Sequence, residues 1–180
     1  MPKKLDFITS TTLKVLEFFF VNPMKNFHER EVMRKSKISK GSANKILRRL
    51  AKLDFLTREE RGRMVFYKLN IKNAVVRQFK ILYNIWNLTG LVDELKQNSK
   101  KIILFGSCSE GTDVEESDID LLILTEEKRF VKEGISNFNK KNERKISPII
   151  VDVNEFIKLR KEDKPLYEKI DRGIVLWETD

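Results

Sequence analysis

Two short stretches carry residue types able to do chemistry. Gly106-Ser107 follows the apolar run "KIILF", and Asp118-Ile119-Asp120 opens the apolar run "IDLLIL", with ten residues between the two. Both runs have the length and composition of buried strands. Residues two apart in a strand point to one face, so Asp118 and Asp120 are expected to project together, their Cα atoms roughly 6.5–7 Å apart. Carboxylates held that close raise each other's pKa unless a cation lies between them. Hard oxygen ligands suit Mg²⁺ or Mn²⁺, ions that complete their shells with substrate phosphates. Backbone N–H groups at a turn bind phosphate oxygens, the Ser107 hydroxyl adds a donor, and Gly106 lets a phosphate chain approach the backbone. A phosphate cradle and a metal-binding acid pair on adjacent strands together suit transfer from a nucleoside triphosphate.

The stretch "GSCSEGTDVEESDIDLLIL" resembles the signature of the polymerase-β-like nucleotidyltransferase superfamily, and most closely its minimal nucleotidyltransferases, in which Gly111 and Ser117 also have counterparts. The resemblance covers about residues 90–177. It implies that Gly106 and Ser107 bind the triphosphate, that Asp118 and Asp120 hold Mg²⁺ or Mn²⁺, and that a third carboxylate on a later strand helps activate the attacking hydroxyl. Asp152 is the only acid inside the candidate strand "KISPIIVDVNEF", and it stands either as that carboxylate or as the start of a cap for a helix near Asn154. Two departures are visible. Cys108 occupies a position where many relatives carry Arg, and Ser109 one where Ala is frequent. Cys108 is the only cysteine and His28 the only histidine, so an internal disulfide is excluded and Cys108 reads as a small packing residue. The resemblance further implies AMP transfer to a hydroxyl, a protein tyrosine among the candidates, and a small helical toxin-like protein as partner. The rival expectation is a transcriptional regulator whose second domain senses nucleotide without turning it over.

The elements that must position these groups form the second of two modules. Residues 1–73 hold 18 Lys and Arg against 7 Asp and Glu, while the remaining residues hold 18 against 20. The net charge of +9 is therefore a property of the first module, which suggests a polyanion as its partner. "STTLKVLEFFFVNP" predicts a helix capped by Ser10, "FHEREVMRKS" a second, and "SKGSANKILRRLAKLDF" a third. In the third, Ala43, Ile46, Leu47, Leu50 and Leu53 share one face, and Lys45, Arg48, Arg49 and Lys52 lie opposite. "FLTREERGRMVFYKLN" has the alternation of a hairpin turning at "RG". Three helices and a small hairpin resemble a winged helix-turn-helix domain of the MarR-like and ArsR-like kind, over roughly residues 5–72. The resemblance implies double-stranded DNA as a partner. Ser42, Asn44, Lys45, Arg48 and Arg49 would meet the major groove, and Arg61 and Arg63 the adjacent backbone.

Residues 73–98 are expected to form connecting helices broken at "TG". Their apolar stripe (Val75, Val76, Phe79, Leu82, Tyr83, Trp86) predicts burial against a module or a partner chain, a homodimer included. The whole chain then reads as α+β: a winged helix-turn-helix domain at 1–72, the connection at 73–98, and an α/β nucleotidyltransferase core with a short mixed sheet at 99–180. "RGIVLWE" is expected as the final edge strand. No apolar run approaches the ~20 residues of a membrane span, and no signal sequence is visible, so the expected home is the cytoplasm.

Overall fold

The computed structural model describes residues 5–179; the expected domain limits at residues 1 and 180 lie outside the described residues. The chain divides into two compact units, residues 1–80 and 81–180.

The first unit contains helices α1 (Ser10–Val21), α2 (Glu29–Ser36) and α3 (Lys40–Lys52), with strands β1 (Phe27–His28), β2 (Leu56–Arg61) and β3 (Met64–Leu69). Thr9, rather than Ser10, caps α1, its hydroxyl accepting from the Thr12 N–H. His28 caps α2: its Nδ1 accepts from Arg30 N–H, and Glu31 accepts from the His28 N–H, a reciprocal pair that satisfies two otherwise unpartnered donors. Phe27 and His28 form a two-residue strand on β3, where a helix start was expected. Ala43, Leu47 and Leu50 of α3 are buried, as the stripe required. β2 and β3 pair from Leu56↔Leu69 to Arg61↔Met64 around a turn at Gly62. Three helices closed by a three-stranded wing make this a winged helix-turn-helix fold.

Helix α4 (Ala74–Leu95) spans the division between the units. It runs through Thr89-Gly90 without the expected break, because Leu88, Leu91 and Leu95 are buried together. That burial outweighs the ~1 kcal/mol a mid-helix glycine costs. The stripe splits: Val76 is buried, whereas Val75, Leu82 and Trp86 are exposed.

The second unit is a mixed sheet of order β6-β5-β4-β7, built from β4 (Lys101–Phe105), β5 (Ile119–Leu124), β6 (Ile146–Val151) and β7 (Ile174–Glu178). β4 pairs antiparallel with β5 and β7, β5 runs parallel to β6, and β7 is the expected edge strand. Helix α5 (Ser107–Glu110) follows β4, α6 (Lys128–Lys141) links β5 to β6, and α7 (Val153–Glu162) and α8 (Lys164–Asp171) link β6 to β7. Strand alternation divides the apolar residues between two faces. Ile102, Leu104, Ile119, Leu121 and Ile123 pack with α4 and α6 residues. Ile103, Phe105 and Leu122 pack with Ile170 of α8 and with Phe156 and Leu159 of α7. The parity of β5 places Asp120 on the same face as Leu122, under α7 and α8.

Candidate active site

β4 ends at Phe105, which pairs with Asp120, so the turn that follows β4 is brought beside the acid that begins β5. Gly106 has φ +68° and ψ −156°, a region that is essentially glycine-only. A Cβ there would run into the Asp120 carboxylate, so glycine is required both by backbone conformation and by the acid beside it. The turn is held by its own hydrogen bonds. Ser109 Oγ donates to Gly106 O at 2.8 Å, and Thr112 N–H donates to Ser107 O at 3.0 Å.

The loop from Thr112 to Asp118 is braced from inside the unit. Asp113 is buried and takes an ion pair from Arg144 at 3.0 Å. Asn84 of α4 donates to Asp113 at 2.9 Å and to Cys108 O at 3.0 Å. The Arg144 guanidinium also meets Ser117 O at 3.3 Å and Cys108 Sγ at 3.0 Å. Buried Cys108 is therefore a packing residue, and Arg144 is a brace for the loop.

Gly106, Ser107 and Asp120 line one cleft of about 540 Å³. Burial first, then the charge on Asp118, push the Asp120 carboxyl above its ordinary range, and Lys169 partly offsets them. Asp118 immediately precedes β5 and is exposed. An acid pair in this state fits a divalent cation, which relieves both the repulsion and the desolvation.

The structure does not bring Asp152 to this pair. Asp152 caps α7, accepting from the Glu155 N–H at 2.9 Å, and pairs with Lys128 at 3.0 Å. These contacts hold its carboxyl below the usual range, the Glu155 backbone bond contributing most. Asp120 is in register with Ser147, five residues before Asp152, which puts Asp152 about 16 Å further along the strand. The β6 neighbour of the acid pair is thus a hydroxyl.

Two cationic cleft residues lay outside the sequence reading. Lys169 of α8 and Arg172, the residue that ends it, line the same cleft, as do Glu110 and Leu166. The signal for them was faint: an Asp163 cap, Pro165, and the apolar pair Leu166 and Ile170 at helical spacing.

On the first unit, Lys45 and Arg48 are exposed on α3, and Arg63 is exposed at the hairpin turn. Ser42 N–H bonds the capping Ser39, Asn44 donates to Glu29 at 2.8 Å, and Arg49 pairs with Asp6 at 2.7 Å. Arg61 grips Glu59 through two bonds of 2.8 Å. The basic face predicted for α3 exists, with part of its polar complement held by neighbours.

A mixed sheet thus sets a glycine-serine turn beside an acidic strand start, with Gly106, Ser107 and Asp120 in one cleft. Residues 88–174, which lie within the second unit, match the model of the nucleotidyltransferase domain family. Among curated proteins none matches the chain. Solved structures resemble it at low similarity. A possible transcriptional regulator from Methanosarcina mazei Go1 matches at 19% identity and TM-score 0.37, covering 50% of this chain and 78% of that one. The toxin–antitoxin MntA-HpeT matches at 21% and 0.38, covering 53% and 74%. A toxin–antitoxin crystallised with AMP-PNP matches at 25% and 0.38, covering 54% and 75%. Among the described residues, no helix is long and apolar enough to cross a membrane.

Proposed function

We propose that the chain is a metal-dependent nucleotidyltransferase that moves a nucleoside monophosphate, AMP by preference, from a triphosphate to a hydroxyl acceptor, with a first unit that binds double-stranded DNA. The observation that carries this reading is the convergence of Gly106, Ser107 and Asp120 on one cleft. Gly106 leaves the backbone bare where a phosphate would approach, and the Ser107 hydroxyl supplies a donor. Asp118 and Asp120 would hold Mg²⁺ or Mn²⁺. When bound, that ion supplies charge stabilisation for the α-phosphate and the departing pyrophosphate. In the reaction the acceptor hydroxyl gives up its proton to solvent water, its oxygen bonds the α-phosphorus, and the bond from the α-phosphorus to the bridging oxygen breaks, releasing pyrophosphate. The braced loop holds the reacting groups in line, which reduces the entropic part of the barrier. A protein hydroxyl, including one on a small helical partner, is the acceptor class this reading favours.

The test is incubation with Mg²⁺ and nucleoside triphosphates labelled at the α-phosphate, against candidate protein acceptors. Label transfer and pyrophosphate release by the wild type, lost in Asp118→Ala and Asp120→Ala, are expected. A second reading has its own observation. Ser147, not an acid, stands in register with Asp120, and Asp152 is remote. That arrangement favours a DNA-binding regulator whose second unit binds nucleotide without turnover. Tight nucleotide binding with no pyrophosphate release, whatever the acceptor, decides for it.

A further inference from the structure

The loop that would have to receive a triphosphate has the wrong charge to attract one. Residues 106–118, "GSCSEGTDVEESD", contain five acidic side chains and no Lys or Arg. Of the five, Asp113 is neutralised by Arg144, on the buried side of the loop. Glu110 and Asp120 line the cleft itself. Even with a divalent cation on the acid pair, a polyphosphate entering this cleft meets backbone donors and carboxylates on the loop wall.

The opposite wall is different. Lys169 and Arg172 line the same cleft, both are exposed, and among the described residues neither has an ion-pair partner. Their position is set by packing rather than by a flexible tail. Ile170, between them, is buried against Ile103, Phe105 and Leu122. At Gly173 the chain passes so near β4 that a Cβ would stand 2.6 Å from Leu104 O and 2.8 Å from Ile170 O. The end of α8 is thereby pressed onto the strand that delivers Gly106.

We infer that Lys169 and Arg172 form a cationic clamp for the terminal phosphates of a nucleoside triphosphate, supplying from α8 the positive charge that the loop lacks. The inference rests on the reading of this cleft as the nucleotide site. Arg172 offers a planar fork that takes two phosphate oxygens at once, and Lys169 a mobile point charge. A clamp on the terminal phosphates discriminates by phosphate number: a triphosphate engages both cations and a monophosphate, seated at the loop, engages neither.

The experiment measures binding of ATP, ADP and AMP to the full chain in Mg²⁺ by calorimetry, for wild type, Lys169→Ala, Arg172→Ala, the double variant and Lys169→Arg. ATP affinity is expected to fall roughly tenfold for each cation removed. AMP affinity should change less than about twofold, and Lys169→Arg should keep most of the ATP affinity. Unchanged thermal melts are expected, because both side chains are exposed. The clamp is overturned if the double variant binds ATP like the wild type, if ATP and AMP affinities fall together, or if the wild type binds no triphosphate. A wild type that binds ATP in this graded way yet transfers nothing removes the transferase reading and leaves the clamp standing.

Discussion

Asp120 joins several lines of the chemistry at the scale of single residues. Its strand parity puts it under α8, its register puts it against Phe105, and its carboxyl is raised by burial and by Asp118. A raised acid is stabilising in its protonated form. Its contribution is fully present below the unfolded carboxylate pKa and is lost as pH rises through the folded value. At neutral pH the ionised group therefore works against the fold, and Asp120→Asn is expected to raise the melting temperature at pH 7. The gain should shrink as pH falls through the raised folded value and be gone below about 4, where the unfolded carboxylate is protonated as well. Melting curves across pH check this, and a variant that melts lower at pH 7 would contradict it. Gly106, Ser107, Asp118 and Asp120 were legible in the sequence because chemistry and spacing lie within one short stretch. Asp152 was chosen for being an acid in the right strand. The register shows that place to be held by Ser147, and register is a property of strand pairing, not of composition.

Between residues and elements, the active loop depends on partners distant along the chain. Arg144, just before β6, and Asn84, on α4, both hold Asp113. Removing Arg144 would leave a buried carboxylate without its cation, a change that typically costs about 3–5 kcal/mol. Arg144→Leu is expected to lower stability on that order and to abolish nucleotide binding by freeing the loop. Adding Asp113→Leu should recover much of the stability, because an apolar pair of similar volume removes the uncompensated charge. Denaturant unfolding of both variants tests the pair; additive losses would show that the two side chains do not act together. Element types were legible where periodicity was strong, as in α3, β4 and β5. Where tertiary contacts decide, the sequence misled. β1 exists because two residues lie along β3, and α4 passes Gly90 because its leucines are buried on both sides of it. Lys169 and Arg172 were hidden for a related reason: nothing local says which face of a sheet a helix will cover.

For the molecule as a whole, the decisive asymmetry is charge, visible in the sequence before any element is assigned. The structure refines which cations of the first unit are available to a phosphate backbone. On the wing, Arg58 meets Glu60 at 2.6 Å and Arg61 is forked onto Glu59, so a phosphate must compete with a carboxylate for either. On α3, Lys45 and Arg48 are exposed beside Lys40 and Lys52. Between α3 and the wing, the cations without an ion-pair partner among the described residues therefore lie mainly on the helix that the groove model inserts, and the wing contributes mainly through Arg63. If about four phosphates are neutralised, affinity for duplex DNA should fall roughly 100-fold between 50 and 200 mM salt. Arg48→Ala should reduce the slope of log affinity against log salt by about 0.9, the loss of one contact. Arg61→Ala should change it less, because removing that guanidinium also frees Glu59 to repel the backbone without deleting an established contact. Titrating a labelled duplex at several salt concentrations measures all three slopes. Affinity indifferent to salt would assign the first unit to protein contacts, and an Arg61→Ala slope change as large as that of Arg48→Ala would place the wing on the backbone with its glutamate pair broken.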